Sequence, residues 1–409
     1  MSSATPVEFH PYERSFAADP YPVYARLREL SPIFHSTEVG MTLFTRYADI
    51  RRLLFDGRLG RSMDHIASPD ELARKRRADL WNELPNYNRY VRVNLLEQEG
   101  ADHSRLRGLV AAALSPKLIG NLRNRIQALV DELVNGLVAR KRMDFLEDLA
   151  VPLPVSVIAE LLGWPAGERH RLRPWSAQIV RLYEKDHSGQ DKTRAEAATS
   201  EFANSLNELA EARRADPRDD LISAMVSISD DGERITRDEL IATCMLLLNA
   251  GHEATVNAAG NGLLALLRHP GQMARLQRDP SLLTTAIEEM LRFDSPLQLF
   301  HRYLLEDLEY GGVAFTKGDM VGFLYGSGNR DPRAFERADE FDISRPSSRH
   351  LAFGAGAHFC LGAPLARLEL EILFGTLLKR LPGIRLDRDE PEYRTGLVFR
   401  GLKALHVRW

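Results

Sequence analysis

The chain of 409 residues is long enough for two or three ordinary domains, or for one unusually large one. With 44% hydrophobic and 27% charged residues it has the balance of a globular protein, which excludes a disordered or fibrous chain. Lys and Arg number 54 against 57 Asp and Glu, a net charge of −3 with no block of five or six like charges, so no nucleic-acid partner is expected.

The first twenty residues carry Glu8, Glu13 and Asp19 and no apolar core, so no targeting segment is read there. No stretch approaches the ~18 apolar residues of a membrane-spanning helix. A cytoplasmic protein is expected. No repeat, low-complexity linker or Gly/Ser tract divides the sequence, which predicts one domain over 1–409 with no appended reductase domain. A helix is predicted from Tyr21 to about Leu30, stopped before Pro32. The runs 33–35 and 41–44 read as strands around a Val39-Gly40 turn. A polar, irregular stretch follows from about Phe55 to Gln98, long enough to imply function. From Asp102 to about Leu267 the apolar period is helical, broken at Pro116, Pro165, Gly189 and Pro217. Thr236 and Glu239 form a capping box that opens a helix running to about Arg268, ~48 Å at 1.5 Å per residue. So long and apolar a helix must be buried through the middle of its domain. Another helix spans about Ser281 to Phe293. The tail mixes short strands and turns with a helix from Pro364 to Leu381. The sum is a mainly α fold with small β-sheets.

Four groups of residues carry chemistry. In Phe353-Gly354-Ala355-Gly356-Ala357-His358-Phe359-Cys360 the two glycines permit a turn that other residues resist, and a helix opens just after the cysteine. Free amides and the helix dipole favour a thiolate there, with His358 two residues away. On spacing alone Cys360 reads either as a ligand or nucleophile, or as a structural cysteine in a glycine-rich turn. Cys244, among Ala, Thr, Met and Leu, reads as a small core residue. Two cysteines cannot build a disulfide framework. Glu289 and Arg292 share a helix face at i, i+3. Ala250-Gly251-His252-Glu253-Ala254-Thr255-Val256-Asn257 interrupts the long helix with small and polar residues. That reads as a local opening around water or ligand, or as a close contact with a neighbour. His103 and Arg107 lie at i, i+4 on the helix after the irregular stretch.

In this order and spacing the motifs resemble the cytochrome P-450 family, the haem-thiolate monooxygenases, from Asp19-Pro20-Tyr21-Pro22 to Arg400-Gly401-Leu402-Lys403. The resemblance implies haem b with Cys360 as the iron ligand, Phe353 beside it in the loop, and a buried Glu289–Arg292 pair. It implies His103, Arg107, Arg302 and His358 at the propionates, with Ala250 and Gly251 leaving room for the porphyrin. Glu253, Ala254 and Thr255 fall where the family handles protons during O2 activation. Here the usual Thr is replaced by Ala254, and Thr255 lies about 100° round the helix. Leu84, Tyr87, Val91, Ile179, Leu247, Leu297, Gln298, Leu299 and Leu397 are the implied substrate contacts, with Gln298 and His252 as polar handles. The regions 55–98, 179–189 and 296–299 would line the cavity. Arg107 and Arg367 match a basic docking face for a ferredoxin-type electron donor. The expected activity is insertion of one oxygen atom from O2 into an apolar terpenoid, steroid, polyketide or fatty-acid-like substrate by a monomeric enzyme. Electrons would come from NAD(P)H through a ferredoxin and its reductase. Ala254 keeps a second class open: a haem-thiolate isomerase, phenol-coupling or peroxide-driven enzyme.

Overall fold

The structure, a computed structural model, describes residues 8–78, 80–183, 187–230, 235–346, 349–387 and 391–409. It is mainly helical with small sheets. The chain forms two compact units, one from residues 1–60, 127–152 and 254–409, the other from 61–126 and 153–253. The sequence shows no linker because the chain leaves one unit for the other inside helices. Pro116–Val138 and Arg237–Arg268 each contain such a crossing.

All strands among the described residues belong to the first unit. They are β1 (Ile33–Ser36), β2 (Met41–Phe44), β3 (Leu59–Gly60), β4 (Arg142–Asp144), β5 (Leu299–Leu304), β6 (Leu308–Tyr310), β7 (Val313–Phe315), β8 (Met320–Leu324), β9 (Arg385–Leu386) and β10 (His406–Arg408). The largest sheet runs β1-β2-β8-β5-β3, with β2 parallel to β8 and its other neighbours antiparallel. One face packs on Phe44, Leu53, Leu304, Phe323 and Leu351. A second apolar cluster joins Phe16, Tyr24, Leu27 and Leu43 to Leu299 and Leu397. The helix Leu283–Phe293 presents Glu289 and Arg292 to the interior, and Ala363–Arg380 follows the Cys360 turn.

The second unit is helical. Helices Gly100–Ala113, Leu172–Val180, Gly189–Ala215 and Leu221–Asp230 surround Trp164, Trp175 and Phe202, whose rings pack within 6.1 Å of one another. Arg213 is buried here, bonded to Asp220 at 2.5 Å and to the Gly163 carbonyl at 2.6 Å.

Two expectations are corrected. The 55–98 stretch is not an unstructured loop: it holds a helix at Pro69–Ala78 and short helical turns at Pro85–Tyr87, Asn88–Arg92 and Leu95–Glu97. Its start signal is a capping box, in which Ser68 Oγ accepts from the Glu71 amide at 3.3 Å and Glu71 accepts from the Ser68 amide at 2.7 Å. Nor does the long helix open at Ala250–Asn257; it is continuous from Arg237 to Arg268. Its small and polar residues serve close contacts instead. A Cβ on Gly251 would stand 3.3 Å from Ile158, and the Asn257 side chain lies where a Cβ on Gly401 would be, at 1.9 Å.

Candidate active site

The Cys360 loop is built by backbone geometry. Gly354 and Gly356 have φ of 68° and 70°, a region costly to residues with a Cβ. A Cβ on Gly356 would stand 2.0 Å from the Leu54 carbonyl oxygen, so glycine is required there twice over. A 3₁₀ turn at Gly356–His358 brings the chain round, and the Cys360 amide donates to the Phe353 carbonyl at 3.0 Å. Helix Ala363–Arg380 begins three residues after the sulfur, with Pro364 in its first turn. Cys360 is exposed, whereas Cys244 is fully buried, with its thiol pKa pushed up by burial. An open thiol at a helix N-terminus is the chemistry an iron-bound thiolate needs.

Arg367 lies on that helix. Its Nε and one terminal NH2 donate to both oxygens of Glu288 at 2.6 and 2.8 Å. His350 Nε2 stands 3.2 Å from the same carboxylate. The Ala352 amide donates to His350 Nδ1 at 3.2 Å, which makes Nε2 the protonated nitrogen. Burial alone would raise the Glu288 pKa, but the bonds from Arg367 and His350 bring it down to about 2. The Arg367 guanidinium lies 4.5 Å from the Phe353 ring centroid, and its pKa is raised chiefly by Glu288, with a lesser contribution from Cys360. The expected docking cation is therefore already paired within the protein.

The Glu289–Arg292 pair is buried and bidentate, at 2.7 and 2.8 Å. Arg292 also donates to the carbonyls of Asn329, Ala338 and Glu340, tying the segment before the Cys loop to the helix. Sequence reasoning missed the third member, Arg345, whose Nε reaches Glu289 Oε2 at 3.0 Å. No local spacing could reveal it, because it comes from 56 residues along the chain. Arg302, on β5, is buried beneath the Phe300 ring and donates to the His301 carbonyl at 2.9 Å; His358 is half-buried.

The substrate residues expected in this unit divide. Leu299 and Leu397 are members of the apolar core at 5% and 3% exposure. Gln298 is not an open handle: its Oε1 accepts from Tyr24 Oη at 3.1 Å and its Nε2 donates to the Ser295 carbonyl at 2.7 Å. Leu297 is partly buried and bridged to Phe399, while Val398, which the sequence reading missed, is exposed.

In the second unit His103 is buried and Arg107 half-buried on the helix Gly100–Ala113. Leu84, Tyr87, Val91 and Ile179 are buried. On the long helix Ala250 is exposed, and Leu247, Gly251, His252 and Glu253 are partly so. Past the unit boundary Ala254 is partly exposed and Thr255 is buried. Of the 179–189 stretch, residues 184–186 lie outside the described residues. Tyr183, also missed, is half-exposed and hydrogen-bonded by the Asn249 side chain, and burial of its hydroxyl pushes its pKa up to about 12.

Known proteins share this fold. The family model for cytochrome P-450 matches residues 126–398. A vitamin D(3) 25-hydroxylase of Pseudonocardia autotrophica is 38% identical over 402 residues, 97% of this chain and 95% of that one. The 6-deoxyerythronolide B hydroxylase of Saccharopolyspora erythraea is 36% identical over 409 residues, 96% and 97% of the two chains. Among solved structures, epothilone B-bound cytochrome P450epoK superposes with a TM-score of 0.89 at 30% identity, covering 98% of this chain and 99% of that one. The chain belongs to the cytochrome P-450 family. It is a monooxygenase, an oxidoreductase that incorporates oxygen from O2, and its membership implies a haem-thiolate cofactor. Among the described residues no helix is long and apolar enough to cross a membrane.

Proposed function

We propose that the chain inserts one oxygen atom from O2 into a medium-sized, mainly apolar substrate, with Cys360 holding the iron of haem b. The observation that carries this reading is the exposed Cys360 thiol, held in a glycine turn before a helix N-terminus. The residues present fit the group. The sulfur is open to approach, and His103, Arg107, Arg302 and His358 supply donors of the kind that bind propionate carboxylates. Ala250 and Gly251 are small enough for a flat macrocycle to approach the long helix. A thiolate-ligated haem supplies O2 activation, because the sulfur pushes electron density towards O–O cleavage. What the chain itself supplies is an apolar surround and a route for protons near Glu253.

Terpenoid, steroid, polyketide and fatty-acid skeletons all suit the apolar side chains. The named relatives act on a vitamin and a deoxyerythronolide, and the solved neighbour holds epothilone B, which supports an oxygen-bearing substrate. Tyr183 with Asn249 is the polar pair available to meet that oxygen, in place of Gln298. Electrons come from NAD(P)H through a separate ferredoxin and its reductase, since two cysteines cannot hold a four-cysteine cluster. Of the two proposed docking cations, Arg107 is also a propionate donor on this reading and Arg367 is paired with Glu288. Two cysteines outside any disulfide suit a cytoplasmic enzyme, which we take to act as a monomer.

The test is spectroscopic. The reduced, CO-bound protein should show the strongly red-shifted Soret band of a thiolate ligand; Cys360→Ala should lose it and Cys244→Ala keep it. Loss of the band in the Cys244 variant instead would overturn the assignment. Ala254 favours a second reading, peroxide-driven or isomerase chemistry. Turnover with peroxide but not with NADH and a surrogate ferredoxin system would select it.

A further inference from the structure

The Arg367–Glu288–His350 cluster has no part in the reading above, yet it sits against the Cys360 loop. Arg367 is seven residues beyond the cysteine, on the helix that the Cys loop opens. Its guanidinium is fixed on two sides: both oxygens of Glu288 accept from it at 2.6 and 2.8 Å, and the Phe353 ring lies beneath it at 4.5 Å. Phe353 in turn receives the Cys360 amide on its carbonyl at 3.0 Å. Glu288 is only 13% exposed and His350 1% at their side chains. His350 accepts from the Ala352 amide on one nitrogen and faces Glu288 with the other, so it holds the carboxylate in place.

A surface ion pair is worth little because water screens both charges. This one is held rigidly in a partly buried site, where charges are felt at longer range. A cation near a metal-bound thiolate draws charge from the sulfur and favours the more reduced metal. A carboxylate bonded to both donors of that cation cancels most of the effect.

We propose that Glu288, Arg367 and His350 are positioning residues that set the electron-donating strength of the Cys360 thiolate by fixing one compensated positive charge beside its loop. The proposal rests on Cys360 being the haem ligand. It predicts effects of opposite sign from the two halves of the pair. With Glu288→Gln the guanidinium loses its counter-charge, and the one-electron ferric-to-ferrous potential of the holoenzyme should move to more positive values. With Arg367→Gln the carboxylate is left in place of the pair, and the potential should move to more negative values. The double variant Glu288→Gln/Arg367→Gln removes both charges and should return towards wild type.

The experiment is a spectroelectrochemical titration of the four substrate-free holoenzymes, with dithionite as reductant and redox dyes as mediators. Each protein is first checked for its red-shifted CO band. Absence of that band in wild type would remove the ligand assignment itself, a failure distinct from that of this proposal. If the band is present, shifts of the same sign in both single variants, or no shift in either, would overturn the proposal and leave the cluster a structural tie. Should a neutral variant fail to fold, Arg367→Lys keeps the charge while losing the two-pronged geometry. Its potential should then stay nearer wild type than that of any neutral replacement, and an equal shift in the lysine variant would count against a role for charge.

Discussion

At the scale of single residues, Ala254 separates this chain most sharply from the pattern its motifs otherwise follow. Proton delivery needs an acid, or a water ordered by hydrogen-bonding groups, near the reacting oxygen. The methyl of Ala254 offers neither, and Thr255 is buried on another side of the helix. The helix is unbroken here, so no carbonyl released by a helix opening can take over that task. On the proposed reading, a substrate hydroxyl or carbonyl orders the last water. NADH consumption should couple to product more tightly for an oxygenated substrate than for its deoxygenated analogue, and Ala254→Thr should narrow the gap. Equal coupling of the two analogues in wild type would leave Ala254 as a residue that simply makes room.

At the scale of elements, the helix pair Leu283–Phe293 and Ala363–Arg380 carries two acids with opposite pH behaviour, Glu288 partly buried and Glu369 buried. Glu288 is held at a pKa of about 2, below its ordinary 4.5, so its pairing stabilises the fold above about pH 4.5 and is lost as pH falls towards 2. The shift corresponds to roughly 3 kcal/mol. Glu288→Gln should therefore flatten the acid limb of the stability curve in urea titrations while lowering stability at neutral pH. Glu369 goes the other way. It is buried, its Oε2 has no hydrogen-bond partner among the described residues, and burial raises its pKa to about 8. The folded protein keeps its proton where the unfolded chain would release it, so stability falls as pH rises from about 4.5 to 8. Glu369→Gln should gain roughly 5 kcal/mol relative to wild type across that rise, with little difference at pH 4. A difference that does not grow with pH would mean that Glu369 is ionised in the folded state.

At the scale of the whole molecule, both ends of the chain are tied into the first unit through one buried cluster. Asp294 accepts from Tyr21 Oη at 2.6 Å, Tyr393 Oη at 2.8 Å and Arg400 Nε at 2.6 Å. Arg400 also donates to the carbonyls of Ala17 and Ala18, and Asn261 donates to the carbonyls of Asp294 and Arg400. Burial would raise the Asp294 pKa, but Arg400 and the two tyrosines hold it low. Removing one member of a buried pair leaves an uncompensated charge and costs about 3–5 kcal/mol. Arg400→Met should show a loss of that size in urea and faster amide exchange in the Tyr21–Leu30 helix. The double variant Asp294→Asn/Arg400→Met should recover part of it. A double variant as unstable as the sum of the singles would show that the two residues act independently.

The sequence by itself determined what is local. The glycine turn before Cys360, the Thr236–Glu239 capping box, the length of the Arg237–Arg268 helix and the i, i+3 pair Glu289–Arg292 are all set within a few neighbouring residues, where backbone sterics and helix period act. The Ser68–Glu71 box was equally local and was hidden only by the polar composition around it. What the tertiary structure decided is which polar groups are already used. Gln298 and Arg367 look available in the sequence, and partners 274 and 79 residues away occupy them. Leu299 and Leu397 look like cavity wall, and an apolar cluster built from the first forty-three residues of the chain covers them. Arg345 completes a buried ion pair that spacing could not connect to it. The physical reason is the same in each case. A buried polar or apolar group is committed by whatever packs against it, and in a fold whose two units are each assembled from discontinuous segments that neighbour comes from far along the chain.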